Sequence, residues 1–221
     1  MVLVGSERAR LVCLRAVWAV ACAGVVLQIW ITTATVVGQG RPWWDAIGVL
    51  LGYFTVTTNL LVAAVLTVNV VGRTPERVWW VSAESGVAMF IAVVGAVFHF
   101  LLREYTDSVG AQRVASEWLH YVNPVLYVVW WLRCVEKGRL RWKDAVWWMA
   151  YPAVYATAAL VRGAVTAFYP YWFVNVTMFG YARVAMNVVA FTAVFLVLGL
   201  VVVWVDGLLS RMGGSAPHSS R

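Results

Sequence analysis

The chain has 221 residues, of which 62% are hydrophobic and 12% charged. A soluble domain is about 45–50% apolar and about 25% charged. The composition therefore excludes an ordinary soluble enzyme, a disordered chain and a disulfide-stapled secreted scaffold, and leaves an all-α polytopic membrane protein. The net charge of +7 lies mostly in the breaks between apolar segments. No basic run interleaves with aromatics as a nucleic-acid face would, so the charge speaks for topology and no nucleic-acid partner is expected.

In chain order, Arg8, Arg10 and Arg15 flank a first apolar run. From Ala16 to Val37 it is too long for a signal-peptide core and no small-residue cleavage pattern follows, so it reads as a retained helix. Crossing ~30 Å of hydrocarbon takes about 20 apolar residues. Six segments qualify: 11–37, 46–71, 82–103, 115–135, 145–167 and 182–205. Turn-rich or charged breaks separate them at 38–42, 72–77, 103–113 and 136–144. The stretch 168–181, FYPYWFVNVTMFGY, carries Pro170 and reads as interfacial or re-entrant, because a broken backbone at membrane depth has to be covered. Residues 1–206 thus form one six-helix transmembrane bundle, and 207–221 read as a flexible cytoplasmic tail.

With the N-terminus inside, twelve Lys and Arg fall on the inner side and five on the outer: Arg41, Arg103, Arg113, Arg162 and Arg183. The excess predicts an N-in, C-in arrangement in the plasma membrane. Four Trp-Trp pairs, at 43–44, 79–80, 130–131 and 147–148, lie near the proposed helix ends and read as interfacial belts. Cys13, Cys22 and Cys134 show no metal spacing and read as small apolar residues. No metal and no cofactor is expected, although His99 and His120, the two intramembrane histidines, leave a bis-histidine haem site open.

Polar groups inside apolar spans are costly, which makes each a candidate for function. On the second span Thr55, Thr58 and Asn59 share a helical face. On the fourth, His120, Asn123 and Tyr127 do so, and Pro124 removes a backbone donor and frees the carbonyl of His120. His99 lies towards the outer end of the third span. On the fifth, Tyr151, Tyr155 and Arg162 share a face, with Arg162 placed either to snorkel or to hold an anion. Tyr169 precedes Pro170, and Asn187 lies on the sixth span. At 1.5 Å per residue, His99, His120, Arg162 and Asn187 lie roughly 6–8 Å below the outer face and Thr55 about 13 Å below it. The pattern predicts a polar cavity in the outer half, with no comparable cluster in the inner half.

A threonine hydroxyl becomes a nucleophile when a base takes its proton, and histidine is the usual base near neutral pH. Thr55 with His120 supplies that pair. Asn59 or Asn123 is placed to orient the base or donate to an oxyanion, and Arg162 to hold an anionic substrate end. No GxSxG, HExxH or P-loop occurs. Lipids are the expected partners. The expected functions are a lipid or fatty-acid ester hydrolase or, without chemistry, a lipid-binding or small-solute transport protein.

The runs FTVTTNLLVA (54–63), LHYVNPVLYVVWW (119–131), GRLRWKD (138–144), YPAVYATAALVRG (151–163) and YPYWFVNV (169–176) together resemble the bacterial six-helix Pr-six-Pr membrane proteins. These are distantly similar to the androgen-induced and androgen-dependent TFPI-regulating proteins. The resemblance covers residues 10–205. It implies a threonine hydrolase of fatty-acid esters of hydroxy fatty acids, its histidine falling on His120 and its threonine on Thr55. The relatives' threonine precedes the asparagine by three residues, where this chain has Val56, so Thr58 is a second candidate. Trp172 stands where the bacterial pattern has proline, and Asn175 where it has an acid.

Overall fold

The computed structural model describes residues 7–72, 77–106 and 108–213. All regular structure among them is helical. The helices are α1 (Glu7–Gly38), α2 (Asp45–Leu51), α3 (Phe54–Val71), α4 (Arg77–Val97), α5 (Gly110–Glu117), α6 (Asn123–Cys134), α7 (Trp142–Trp148), α8 (Ala150–Thr166) and α9 (Val176–Gly213). Four helical stretches are long and apolar enough to cross a bilayer: Glu7–Gly38, Phe54–Val71, Val78–Tyr105 and Val176–Met212, the last kinked at Gly180 (φ 72°, ψ 163°). The third is the central one, 56% buried against 11% for the last. It packs on α3, α6 and α9, while α1 lies against α3 and α6.

Four of the expected segments depart from a simple rod, and the departures in the second and fourth build the site. The 46–71 segment is broken, with α2 ending at Leu51 and Tyr53 extended (φ −107°, ψ 126°) before α3 starts at Phe54. Thr55 therefore sits in the first turn of a helix rather than in mid-helix. The 115–135 segment opens into a π-helical turn, Trp118–Val122, ahead of Pro124. A proline ring clashes with the carbonyl four residues before it and offers that carbonyl no N–H; the wider turn relieves both. A second π turn, Phe98–Leu102, extends α4 beside the first. Gly95 lets the two segments meet, since a Cβ there would sit 3.1 Å from the His120 carbonyl oxygen and 3.4 Å from Pro124 Cβ. The 145–167 segment is divided between α7 and α8 at Met149.

The tail expectation needs correcting, because α9 runs on to Gly213. Asp206 is buried on it and accepts from the backbone N–H of Gly138 (2.9 Å) and Leu140 (3.1 Å). That bond fastens the 136–141 loop to the helix. Residues 214–221, and 73–76 in the second break, lie outside the described residues. The belt reading of the tryptophans is also only partly right. Trp43, Trp44, Trp79 and Trp147 are exposed, whereas Trp130, Trp131 and Trp148 are buried in the core. Trp131 donates its indole N–H to Ser85 (2.8 Å) and Trp148 to Ser82 (3.3 Å).

Candidate functional site

The broken second segment and the π turn bring their side chains face to face. Thr55 Oγ1 lies 3.1 Å from His120 Nε2. The other ring nitrogen, Nδ1, lies 2.7 Å from the Ser116 carbonyl oxygen, with Ser116 Oγ further off at 3.4 Å. A carbonyl only accepts, so Nδ1 carries the proton and Nε2 presents its lone pair. The Thr55 hydroxyl then donates to Nε2, as general-base removal of its proton requires. Phe98 stacks on the imidazole at 3.9 Å and 17°, which fixes the ring plane from the α4 side. Thr55 is buried and His120 half-buried.

The asparagines hold the frame rather than the ring. Asn59 donates both its amide bonds to carbonyls, Thr55 O at 2.8 Å and Leu119 O at 3.2 Å, so one side chain ties α3 to the π turn. Asn123 donates to Asn59 Oδ1 at 2.8 Å. With its N–H groups turned to backbone, Asn59 does not fill the oxyanion role expected of it; nor does Asn123, which is buried behind it. Thr58 is fully buried with its hydroxyl 3.0 Å from Tyr151 OH, which separates it from His120. Tyr127 is likewise inside the core, donating to the Glu84 carbonyl at 3.2 Å.

The remaining expected residues lie around this centre. Tyr155 donates to the Gly52 carbonyl (2.8 Å) and Arg162 to the Gly48 carbonyl (2.6 Å), so both secure α2 where it breaks from α3. Arg162 also lies over the Phe168 ring at 4.9 Å. Asn187 donates to the Phe173 carbonyl at 2.7 Å and anchors the 3-10 turn Trp172–Val174. Tyr169 packs on Gly163. His99 is exposed, with Nδ1 3.3 Å from Tyr121 OH.

Two cavities meet at Thr55. One, of about 660 Å³, runs from Thr55 and His120 past Gln28, Thr32, Gln112 and Ser116 to Arg41, and is polar along much of its wall. The other, of about 300 Å³, is lined by Phe54, Val94, Val97, Pro152, Phe191 and Phe195 among others and is almost wholly apolar. Thr55 and Tyr171 line both. Arg162 lines neither, which contradicts the expectation that it grips a substrate's anionic end. The cation on the polar wall is Arg41, paired with Asp45 at 3.0 Å. Sequence reading passed over Arg41 and Tyr171. Arg41 reads from sequence as a topology signal, and Tyr171 falls in the stretch read as interfacial or re-entrant. The YPY run around a broken backbone was the available hint.

Among the described residues no group of three or more His, Cys, Asp or Glu is placed to hold a metal ion. Set against protein-family models, curated proteins and solved structures, the chain matches none.

Proposed function

We propose that this protein is an integral-membrane ester hydrolase that uses Thr55 as nucleophile and His120 as base on lipid or fatty-acid esters. The observation that carries the reading is the 3.1 Å Thr55–His120 contact with the imidazole tautomer set by the Ser116 carbonyl. Its position where a polar and an apolar cavity meet suits an amphiphilic ester, with the acyl chain in the apolar arm and the polar end in the other. The motif resemblance to the Pr-six-Pr proteins and their threonine-hydrolase relatives points the same way.

In this reading Thr55 Oγ1 attacks the ester carbonyl carbon while its proton passes to His120 Nε2. The C=O π pair becomes a lone pair on the carbonyl oxygen. As that pair returns, the bond to the leaving oxygen breaks, and that oxygen takes the proton from Nε2. Water entering through the polar cavity then repeats the sequence on the acyl-threonine. Its proton goes to Nε2, its oxygen bonds to the acyl carbon, and Thr55 Oγ1 departs reprotonated. The Nδ1–H bond to the Ser116 carbonyl favours the imidazolium formed in each half-reaction.

We also propose that α5–α6 and α7–α8, each interrupted, cross the bilayer with the four long helical stretches. The chain then spans the plasma membrane six times, N-in and C-in, with the site in the outer half. The split of Lys and Arg, twelve against five, supports this orientation. Purified protein offered a fluorophosphonate probe and hydroxy-fatty-acid esters should be labelled and should turn the esters over. Thr55→Ala and His120→Ala should do neither. Equal labelling and turnover in all three would sink the reading, and a specifically bound lipid with no turnover would favour lipid binding or transport instead.

A further inference from the structure

Attack by Thr55 places a full negative charge on the substrate's carbonyl oxygen, and an aimed donor stabilises that charge as it develops. The obvious donors are committed. Asn59 gives its N–H groups to the Thr55 and Leu119 carbonyls. Arg162 bonds the Gly48 carbonyl and lines neither cavity. The one hydroxyl hydrogen of Tyr155 goes to the Gly52 carbonyl. Tyr171 remains. It lines both cavities, and its hydroxyl lies beside the Thr55 side chain, the Tyr155 hydroxyl and the backbone N–H groups of Thr55 and Phe54. Those two N–H groups belong to the first turn of α3, where no helical carbonyl is available to them. The phenol hydrogen rotates about the C–O bond, so it is free to turn from the Tyr155 hydroxyl to an oxyanion formed at Thr55. The ring is held flat against Phe173 (5.2 Å, 3°) and edge-on to Tyr53 (6.2 Å, 80°).

We propose that Tyr171 is a third catalytic residue, the hydrogen-bond donor to the oxyanion formed at Thr55. The inference rests on the ester-hydrolase reading. While the Thr55 proton sits on His120 Nε2 and the carbonyl pair sits on oxygen, the Tyr171 hydroxyl donates to that oxygen without giving up its proton. When the pair returns and the leaving oxygen takes the proton from Nε2, the phenol is unchanged.

The test is steady-state hydrolysis of a p-nitrophenyl ester and a hydroxy-fatty-acid ester by the full-length protein in detergent. Tyr171→Phe should lower kcat by about 10²–10³-fold with KM nearly constant, since the interaction exists only in the transition state. Tyr155→Phe should lower kcat far less. Wild-type kcat in Tyr171→Phe, or a change confined to KM, overturns the assignment while leaving the hydrolase reading intact. Absence of turnover in the wild type overturns both. Should Tyr171→Phe fail to fold, 3,5-difluorotyrosine at position 171 keeps ring and hydroxyl but ionises at lower pH. The alkaline limb of kcat should then move to lower pH, and an unmoved limb overturns the proposal.

Discussion

At the end of the bundle that carries Arg10, half-buried polar side chains close on one another and on the buried Glu84. Asn69 donates to Glu84 at 2.7 Å and accepts from the Trp80 indole at 3.1 Å, and Ser82 donates to Asp144 at 2.5 Å. Lys137 donates to the Trp131 and Val135 carbonyls (2.5 and 2.7 Å) and lies over the Trp131 ring at 4.4 Å. At the end that carries His120, the polar groups are also bonded, yet Thr55, His120 and Tyr171 line open space. Neither described cavity is lined by Glu84, Asn69, Asp144 or Lys137. Counting polar residues in apolar helices therefore does not separate a site from a brace. What separates them is whether hydroxyls and ring nitrogens face a cavity or only each other.

That contrast can be broken most sharply by the largest expected effect. Thr55→Ala or His120→Ala should lower ester turnover by about 10³-fold or more, since each removes the nucleophile or the base, with thermal stability little changed. A variant that loses stability instead would make the His120 end another brace. Next, Gly95→Ala should lower turnover by about tenfold while the protein stays folded. Its Cβ would press on the His120 carbonyl and Pro124, and small misplacements of a catalytic group are costly. An unchanged kcat would show that the π turn tolerates the shift.

At the Arg10 end the expectation inverts. Asn69→Leu leaves the buried Glu84 carboxyl without its amide donor, which should cost about 1–3 kcal/mol of stability. Turnover per folded molecule should be unchanged. A fall in turnover with stability intact would assign this end a part in function.

The smallest effect is a pH dependence. Burial holds the Lys137 ammonium well below its ordinary range, down to about 8, with Asp206 and Glu84 opposing the shift. A lysine whose folded pKa lies below its unfolded value binds more protons in the unfolded chain between the two. Its contribution to stability therefore rises with pH from about 8 to about 10.4. Thermal unfolding should show wild type gaining on Lys137→Met across that window. Parallel curves would contradict the shift.

Much of the frame was legible from residues alone. Apolar run length located the helical segments, and Pro124 announced the opened turn beside His120. The Thr55–His120 pair followed from two polar residues placed on different apolar segments. The break between α2 and α3 was not legible, because Gly52 and Tyr53 sit inside an unbroken apolar run whose composition suits a continuous helix. The roles of Asn59 and Arg162 were misjudged for a related reason. Arg162 is drawn to the Gly48 carbonyl, left without a helical partner at the end of α2, and Asn59 to the Leu119 carbonyl of the π turn. The polar network at the Arg10 end was missed because its members come from four helices and a loop, each contributing a few residues that look interfacial in isolation. Trp131 and Trp148 look like belt residues until Ser85 and Ser82 are seen beneath them.

The central claim is that Thr55 is a nucleophile activated by His120. Mapping a fluorophosphonate adduct by peptide mass spectrometry tests it most directly. The account predicts the phosphonyl mass on the peptide containing Thr55 in wild type, with the modified peptide lost in His120→Ala. A protein that turns esters over yet carries the adduct elsewhere, or is labelled equally in Thr55→Ala, would contradict it.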